Sequence, residues 1–169
     1  GVPPAERGTA LHEFMQYANF EKATENVAAE IERIASLEYI TKEQAASIDI
    51  KKAEAFFEGE LYNRMKNAKN IWREWRFMLD IPASSIYGED APDELIVVQG
   101  IIDCFFGEAD GIVVIDYKTD NVKRKEELIK RYSSQLKLYS YAIKQLRSRN
   151  VKEALIYSFE LGKSVRIDL

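Results

Sequence analysis

The sequence is poor in the residues on which sulfur chemistry and membrane insertion depend. It holds one cysteine and one histidine among 169 residues, which excludes a disulfide framework and leaves too few ligands for a structural zinc site or an iron–sulfur cluster. No apolar run approaches the roughly 20 residues of a membrane span, and no secretory signal opens the chain. We therefore expect a cytoplasmic protein without membrane contact.

Three common hydrolase signatures are also missing. The chain has no Gly-x-Ser-x-Gly elbow, no His-Glu-x-x-His zinc helix and no Walker A loop. Serine-hydrolase chemistry and zinc-protease chemistry are therefore disfavoured, and any ATP hydrolysis has to come from a part of the polypeptide outside this chain.

What the chain does have is a core-forming composition and an uneven charge distribution. Hydrophobic residues make up 46%, which suits one globular domain, and the net charge is −4. Residues 121–150 contain nine Lys or Arg against Glu126 and Glu127, a balance of +7, so the rest of the chain carries −11. This basic segment could follow a phosphate backbone. The alternative is an ordinary solvated helix rich in Lys and Arg.

The hydrophobic periodicity predicts helices first and a mixed sheet afterwards. Helices are expected from a Thr9 cap onward and over 21–37, 41–47 and 50–67, and a later helix over 124–149 with a break near Arg131. Strands are expected over 72–81, 95–106, 112–117, 154–161 and 165–169, with a loop at 82–93. The predicted fold is α/β, with a mixed sheet flanked by helices and an N-terminal helical region.

The strands at 95–106 and 112–117 are joined by a short link with Gly at both ends, which predicts a hairpin. If the turn centres between residues 109 and 110, Asp103 lies opposite Asp116. If Asp110 and Gly111 form the tip, Asp103 lies opposite Lys118. Side chains alternate between the faces of a strand, so both registers put Asp103, Asp116 and Lys118 on one face.

Two carboxylates pressed together at the ends of buried strands repel each other and are costly to desolvate, and a divalent cation removes that cost. Oxygen ligands suit Mg²⁺ or Mn²⁺, which can polarise a phosphoryl oxygen, and a neighbouring Lys adds positive charge. An isolated Asp-x-Lys is usually a surface ion pair. Here the apolar run 112–115 precedes Asp116 and a second buried run precedes Asp103, which favours a catalytic site.

Five blocks in order resemble the RecB-type branch of the PD-(D/E)XK nuclease superfamily, over nearly the whole chain. They are Gly8-Thr9-Ala10-Leu11-His12 with Gln16, Glu74 in the first strand, Gly100-Ile101-Ile102-Asp103, Ile115-Asp116-Tyr117-Lys118-Thr119-Asp120, and Gln135-Leu136-Lys137-Leu138-Tyr139. The long N-terminal helices and the segment Glu6-Arg7-Gly8-Thr9 are most similar to the C-terminal nuclease domains of AddA (RexA) helicase–nuclease subunits.

The resemblance implies a restriction-endonuclease-like core and a set of site residues. It implies that a metal is held by His12, Asp103, Asp116 and the backbone carbonyl of Tyr117, and that Lys118 is the catalytic lysine. Residues that contact DNA or support the site are then Gln135, Tyr139, Gln16 and Glu74. Packing on the sheet is the alternative role for Tyr139, and pairing with Arg76 is the alternative for Glu74. Relatives with iron–sulfur clusters carry four cysteines, so no cluster is expected here.

The implied function is a Mg²⁺-dependent deoxyribonuclease, expected to act as an exonuclease, of an ATP-dependent helicase–nuclease in double-strand break repair and recombination. We expect residues 1–169 to form one nuclease domain, with a helical part over 1–70 and a catalytic core over 71–169. The chain would be a C-terminal piece of a larger protein whose helicase part uses ATP and whose partner is AddB (RexB). The alternatives are a DNA-binding module without catalysis and a stand-alone RecB-family exonuclease.

Overall fold

Six helices precede the first strand in the computed structural model, which describes residues 1–169. They are α1 (Pro4–Tyr17), α2 (Phe20–Glu25), α3 (Val27–Ser36), α4 (Lys42–Ser47), α5 (Ile50–Glu58) and α6 (Glu60–Met65). The rest of the chain alternates strands with two further helices: β1 (Ile71–Pro82), α7 (Ser84–Tyr87), β2 (Leu95–Glu108), β3 (Gly111–Lys118), α8 (Lys125–Arg147), β4 (Val151–Ser158) and β5 (Lys163–Ile167). None of the helices combines the length and apolar character that crossing a membrane requires.

Several predicted helix boundaries were wrong for local reasons. The helix predicted over 21–37 is divided at Asn26, whose side chain accepts the Ala29 N–H at 2.9 Å and so starts a new helix. The helix predicted over 50–67 is divided at Gly59. Helix α1 begins at Pro4 rather than after Thr9, because a proline in the first turn has no N–H to leave unpaired.

The break predicted in the last helix near Arg131 is also wrong, since α8 runs without interruption over 23 residues. One apolar stripe continues through the supposed break and keeps the helix on the sheet; it consists of Leu128, Leu136, Tyr139 and Ile143. The predicted loop at 82–93 contains the short helix α7. The last two strands begin earlier than predicted, at Val151 and Lys163.

The five strands form one mixed sheet in the order β1-β2-β3-β4-β5, and the predicted fold class is confirmed. All neighbours are antiparallel except β3 and β4, which are parallel and are connected through α8. Helices α1 to α6 cover one face in a core of 26 buried residues, and α8 covers the other in a core of 15. The sheet is therefore the middle layer of three.

The hairpin register is the first of the two that the sequence allowed. Cys104 pairs with Ile115 and Glu108 with Gly111, which leaves a two-residue turn at residues 109 and 110. The β2–β3 ladder ends at Cys104, whereas β2 stays paired with β1 as far as Leu95. Strands β2 and β3 therefore separate at the residue before Cys104, which is Asp103.

The other end of this hairpin is held by ion pairs between side chains. Glu108 accepts from Arg64 at 2.6 Å and contacts Lys152 at 2.8 Å. These two cations lower the pKa of Glu108 from 4.5 to about 2. A carboxylate with a lowered pKa stabilises the fold above its unfolded pKa and loses that contribution as the pH falls towards the folded value.

We expect Glu108→Gln to lower the free energy of unfolding by about 1.5–3 kcal/mol at neutral pH, the range for hydrogen bonds to charged groups. The difference in the free energy of unfolding between variant and wild type should shrink as the pH falls from 4.5 to about 2. Over this range the wild-type carboxyl is protonated first in the unfolded chain and then, near 2, in the folded protein. Urea unfolding across this range measures it. Glu126→Gln, at an exposed carboxylate without an ion pair, is the control; a pH-independent deficit in Glu108→Gln would contradict the assignment.

Candidate active site

Asp103 occupies the point at which β2 and β3 separate. Continuing the register by one residue places it opposite Asp116. The ladder has ended here, yet the Tyr117 N–H is not left unpaired, because it donates to Asp103 Oδ2 at 2.8 Å. The side chain of Asp103 thus takes the place of a strand carbonyl, and the gap between the strands stays open beside it.

Asp116 lies next to Asp103 under heavy burial. Their carboxyl groups are within hydrogen-bonding reach of each other, and Asp116 is 3% exposed. Burial, followed by the charge of Asp103, raises the pKa of Asp116 to about 7. Burial also raises the pKa of Asp103, against the opposing hydrogen bond from Tyr117. Two acidic groups are held together here at an electrostatic cost.

Lys118 provides the positive charge nearest to this pair. Its Nζ lies 2.9 Å from Asp116 Oδ2, but outside the direction of a hydrogen bond, so that this buried oxygen has no hydrogen-bond donor. Lys118 does donate to Gln135 Oε1, at 3.2 Å. Asp103, Asp116 and Lys118 are gathered at one end of the hairpin, as the alternation of side chains predicted.

Helix α8 brings Gln135 and Tyr139 over this group. The two residues are one helical turn apart, and their side chains contact each other. Burial and the charge of Asp116 raise the pKa of Tyr139 to about 12. The edge of the Tyr139 ring packs on Phe77 of β1 with 5.9 Å between centroids, so Tyr139 both packs on the sheet and lines the site.

His12 approaches from the opposite face of the sheet, on α1. Its Nδ1 is 3.9 Å from Asp103 Oδ2, and burial lowers its pKa, which favours the neutral ring that can donate a lone pair to a cation. Arg73 fixes the end of α1 by donating to the carbonyls of Gln16 at 3.2 Å and Ala18 at 2.6 Å. Gly8, one turn before His12, touches Thr119, since a Cβ there would lie 2.6 Å from its Oγ1.

The two remaining predicted residues occupy different positions. Glu74 faces Asp103 across β1 and β2, between the pairs formed by its neighbours; its φ is +48°, and burial raises its pKa. The Gln16 side chain makes no hydrogen bond, and only its backbone carbonyl is tied down, by Arg73. The structure therefore brings Glu74 to the carboxylate pair but gives the Gln16 side chain no hydrogen bond to it.

The left-handed φ of Glu74 also changes which side chains share a face. The predicted alternation holds from Trp75 onward, but Trp72 lies on the same face as Trp75, and both pack on Phe105 with centroids 4.8 and 5.5 Å away. The two tryptophans are thus used in packing, which the sequence favoured over base stacking.

Sequence reasoning missed two residues beside Lys118. The Tyr132 ring centroid is 4.1 Å from Lys118 Nζ, and the Tyr132 hydroxyl donates to Asp120 Oδ2 at 2.7 Å. A signal existed, because Tyr132, Gln135 and Tyr139 stand at i, i+3 and i+7 on one face of α8. Asp120 also belongs to the quoted block that contains Asp116.

The donor set suits a hard divalent cation. The set has two carboxylates, one of which has a buried oxygen without a hydrogen-bond donor. The Tyr117 backbone carbonyl adds a third oxygen, since it faces the same side of β3 as the Tyr117 N–H. No three His, Cys, Asp or Glu side chains form a ready-made cage. A site with few protein ligands and room for water is what Mg²⁺ accepts.

Exposed positive charges lie along α8 and in the segments on either side of it. All nine Lys and Arg of residues 121–150 are exposed, and only Arg131 among them forms an ion pair. Exposed cations without ion pairs are the kind of surface that a polyanion contacts.

Comparison with known proteins gives a family and a set of relatives. The PD-(D/E)XK nuclease superfamily matches residues 1–166. Proteins described as A-type subunits of an ATP-dependent helicase/nuclease are 40% identical over 99% of this chain in Clostridium botulinum (strain Hall) and 42% identical over 96% of it in a Thermoanaerobacter species. The matched region is 14% of each relative, so the chain spans about one seventh of their length.

Gly100, three residues before Asp103, leaves room for the ring that supports Tyr139. A Cβ at this position would lie 2.9 Å from Cε1 and Cζ of Phe77 and 3.6 Å from the Tyr139 ring. We expect Gly100→Ala to destabilise the fold by about 1–3 kcal/mol through overpacking. Phe77→Leu removes both clashing atoms, so the double variant should lose less than the sum of the single variants in urea unfolding. Simple additivity would contradict this packing.

Proposed function

We propose, from the premise that this chain belongs to the PD-(D/E)XK nuclease superfamily, that it hydrolyses phosphodiester bonds of DNA with a divalent cation. The observation that carries the proposal is the gathering of Asp103, Asp116 and Lys118 where β2 and β3 separate. No other group of the chain combines buried carboxylates held against each other with an ammonium in contact.

The cation would be held by Asp103, Asp116 and the Tyr117 carbonyl, with His12 as a further ligand. Mg²⁺ is the natural choice for oxygen donors, and Mn²⁺ could substitute. Such an ion polarises a phosphoryl oxygen and lowers the pKa of a nearby water. The support for this assignment is that Asp116 Oδ2 is buried without a hydrogen-bond donor, beside the Lys118 ammonium, and that the pKa of its carboxyl is raised.

Lys118 would act on the charge that develops at the scissile phosphate. Its ammonium stands beside the carboxylates and carries three N–H donors, one of which goes to Gln135. A remaining donor can stabilise an anionic phosphoryl oxygen or orient the attacking water. Gln135 then holds Lys118, and Tyr139 contacts Gln135 on the α8 side of the site. Glu74 adds a third acidic group opposite Asp103.

The substrate would lie along the exposed cations of α8 and its leading segment. Unpaired Lys and Arg side chains contact phosphates without regard to base sequence, which suits an enzyme that degrades DNA of any sequence. Binding of this kind weakens steeply with salt.

A larger setting is supported by the relatives, which are described as subunits of an ATP-dependent helicase/nuclease. We infer that this chain is the nuclease part of such a protein in bacterial cytoplasm, acting as an exonuclease in double-strand break repair and recombination. Its partner would be AddB (RexB), and ATP would be used by a helicase part outside residues 1–169. The alternative is a DNA-binding module without catalysis. Cleavage assays on the wild type and on Lys118→Ala distinguish this module from a nuclease.

Lys118→Ala should lower the kcat for cleavage of a DNA end with Mg²⁺ by at least about 100-fold, the usual loss when a donor to a developing anion is removed. The variant should still fold, because Lys118 is not part of either core, and a cooperative urea unfolding transition checks this. Lys51→Ala, at an exposed lysine without an ion pair, is the control and should keep full activity. Salt-sensitive DNA binding with no product from wild type would support the binding module instead.

Cation binding can be tested without activity. A ligand that binds only the folded state raises stability by about 2.7 kcal/mol at 100 times its Kd, so Mn²⁺ should raise the unfolding temperature of the wild type. Asp116→Asn should lose most of this increment, because a neutral amide replaces the buried carboxylate.

The matched control for this experiment is Glu108→Gln, which removes a carboxylate from the opposite end of the same hairpin. It should keep the full Mn²⁺ increment despite a lower starting stability. If Mn²⁺ raises the unfolding temperature of Asp116→Asn as much as that of the wild type, the cation does not bind at the proposed position.

A further inference from the structure

Tyr132 contacts Lys118 and has no part in the proposed function so far. It lies on α8 one turn before Gln135, and its ring centroid is 4.1 Å from Lys118 Nζ. The ammonium is thus enclosed by Asp116 at 2.9 Å, Gln135 at 3.2 Å and this aromatic ring.

The ring is itself held in place from its far end. Its hydroxyl donates to Asp120 Oδ2 at 2.7 Å, and Arg131 contacts the same oxygen at 3.0 Å. Asp120 is two residues beyond Lys118. Lys118, Asp120 and Tyr132 are therefore linked in a cycle, by the backbone from Lys118 to Asp120 and by side-chain contacts from Asp120 to Tyr132 and from Tyr132 to the ammonium. The charge of Asp120 is balanced by Arg131 and does not compete for Lys118.

An aromatic face suits this position for a physical reason. A lysine side chain is long and flexible, and holding its head in one place requires contacts on several sides. Asp116 alone would not fix the ammonium, because a divalent cation held by this carboxylate would compete for it and repel Lys118. The face of Tyr132 attracts the ammonium through its quadrupole while accepting none of the directed hydrogen bonds that Lys118 needs for Gln135 and a phosphate.

We propose that Tyr132 is a positioning residue for Lys118 and acts through the face of its ring. The proposal rests on the proposed function, in which Lys118 acts on the scissile phosphate. Tyr132 does not touch the substrate and acts only through the ammonium that it holds.

Two substitutions separate the ring from its hydroxyl. Tyr132→Leu removes the aromatic face, and we expect kcat with Mg²⁺ to fall by about 3- to 30-fold, the range that a cation–π contact spans from exposed to desolvated sites, with KM for DNA little changed. Tyr132→Phe keeps the face, and its kcat should stay within about threefold of wild type. Tyr141→Leu, the same change at an exposed position of the same helix, is the matched control and should leave kcat unchanged.

A double-variant cycle distinguishes positioning from an independent role. If Tyr132 acts through Lys118, Tyr132→Leu should cause no further fall in the Lys118→Ala background. A fall of the same size in both backgrounds would overturn the proposal. A Tyr132→Leu variant with wild-type kcat, or a Tyr132→Phe variant as slow as Tyr132→Leu, would also overturn it.

The contact has a signature that needs no catalysis. The Tyr132 ring current should shift the Lys118 Hε resonances upfield in wild type and in Tyr132→Phe, and the shift should vanish in Tyr132→Leu. If the wild type fails to cleave DNA while this pattern is present, the proposed function is wrong but the contact stands. If the wild type cleaves and the pattern is absent, only the role of Tyr132 is wrong.

Discussion

The separation of β2 from β3 at Asp103 is the constraint on which the site depends. Two strands that remained paired would fill the gap between them with ladder hydrogen bonds and leave no room for a ligand. Here the ladder ends at Cys104, and the next backbone donor on β3, the Tyr117 N–H, is satisfied by the Asp103 side chain at 2.8 Å. The gap can therefore stay open without a buried unpaired N–H.

The two ends of the β2–β3 hairpin place carboxylates in opposite electrostatic settings. At the turn, Glu108 lies between Arg64 and Lys152, and its pKa falls to about 2. At the open end, Asp116 is buried against Asp103, and its pKa rises to about 7 although Lys118 is adjacent. At the turn, the chain itself supplies the positive charge that compensates the carboxylate. At the open end, the carboxylates have too little positive charge beside them, and a bound cation could supply it.

The parts of this arrangement that follow from local periodicity could be predicted from the sequence. Alternation along two apolar strands and a short link between them placed Asp103, Asp116 and Lys118 together, and either of the two allowed registers gave the same answer. The three-layer order also follows, because helical and strand periods occupy different stretches of the chain. The choice between the two registers needed the structure, since it depends on the turn conformation.

What could not be predicted depends on single residues or on contacts through space. Asn26 and Gly59 each divide a helix without interrupting its apolar stripe, so periodicity does not detect them. The left-handed φ of Glu74 reverses the faces of β1 within one residue, and a non-glycine residue gives no warning of such a conformation. Tyr132 had the right spacing on α8, but only the packing of the helix on the sheet selects Lys118 as its neighbour.

The two layers of helices therefore contribute to the site in different ways. Helix α1 brings one ring, His12, to the carboxylates from the face of the sheet opposite α8, and its position is secured indirectly by Arg73 and by the contact of Gly8 with Thr119. Helix α8 brings three side chains on one face, all directed at the ammonium or its neighbours. Because those three share one rigid helix, a shift of α8 moves them together, and the geometry around Lys118 is set by the docking of a whole helix rather than by separate loops.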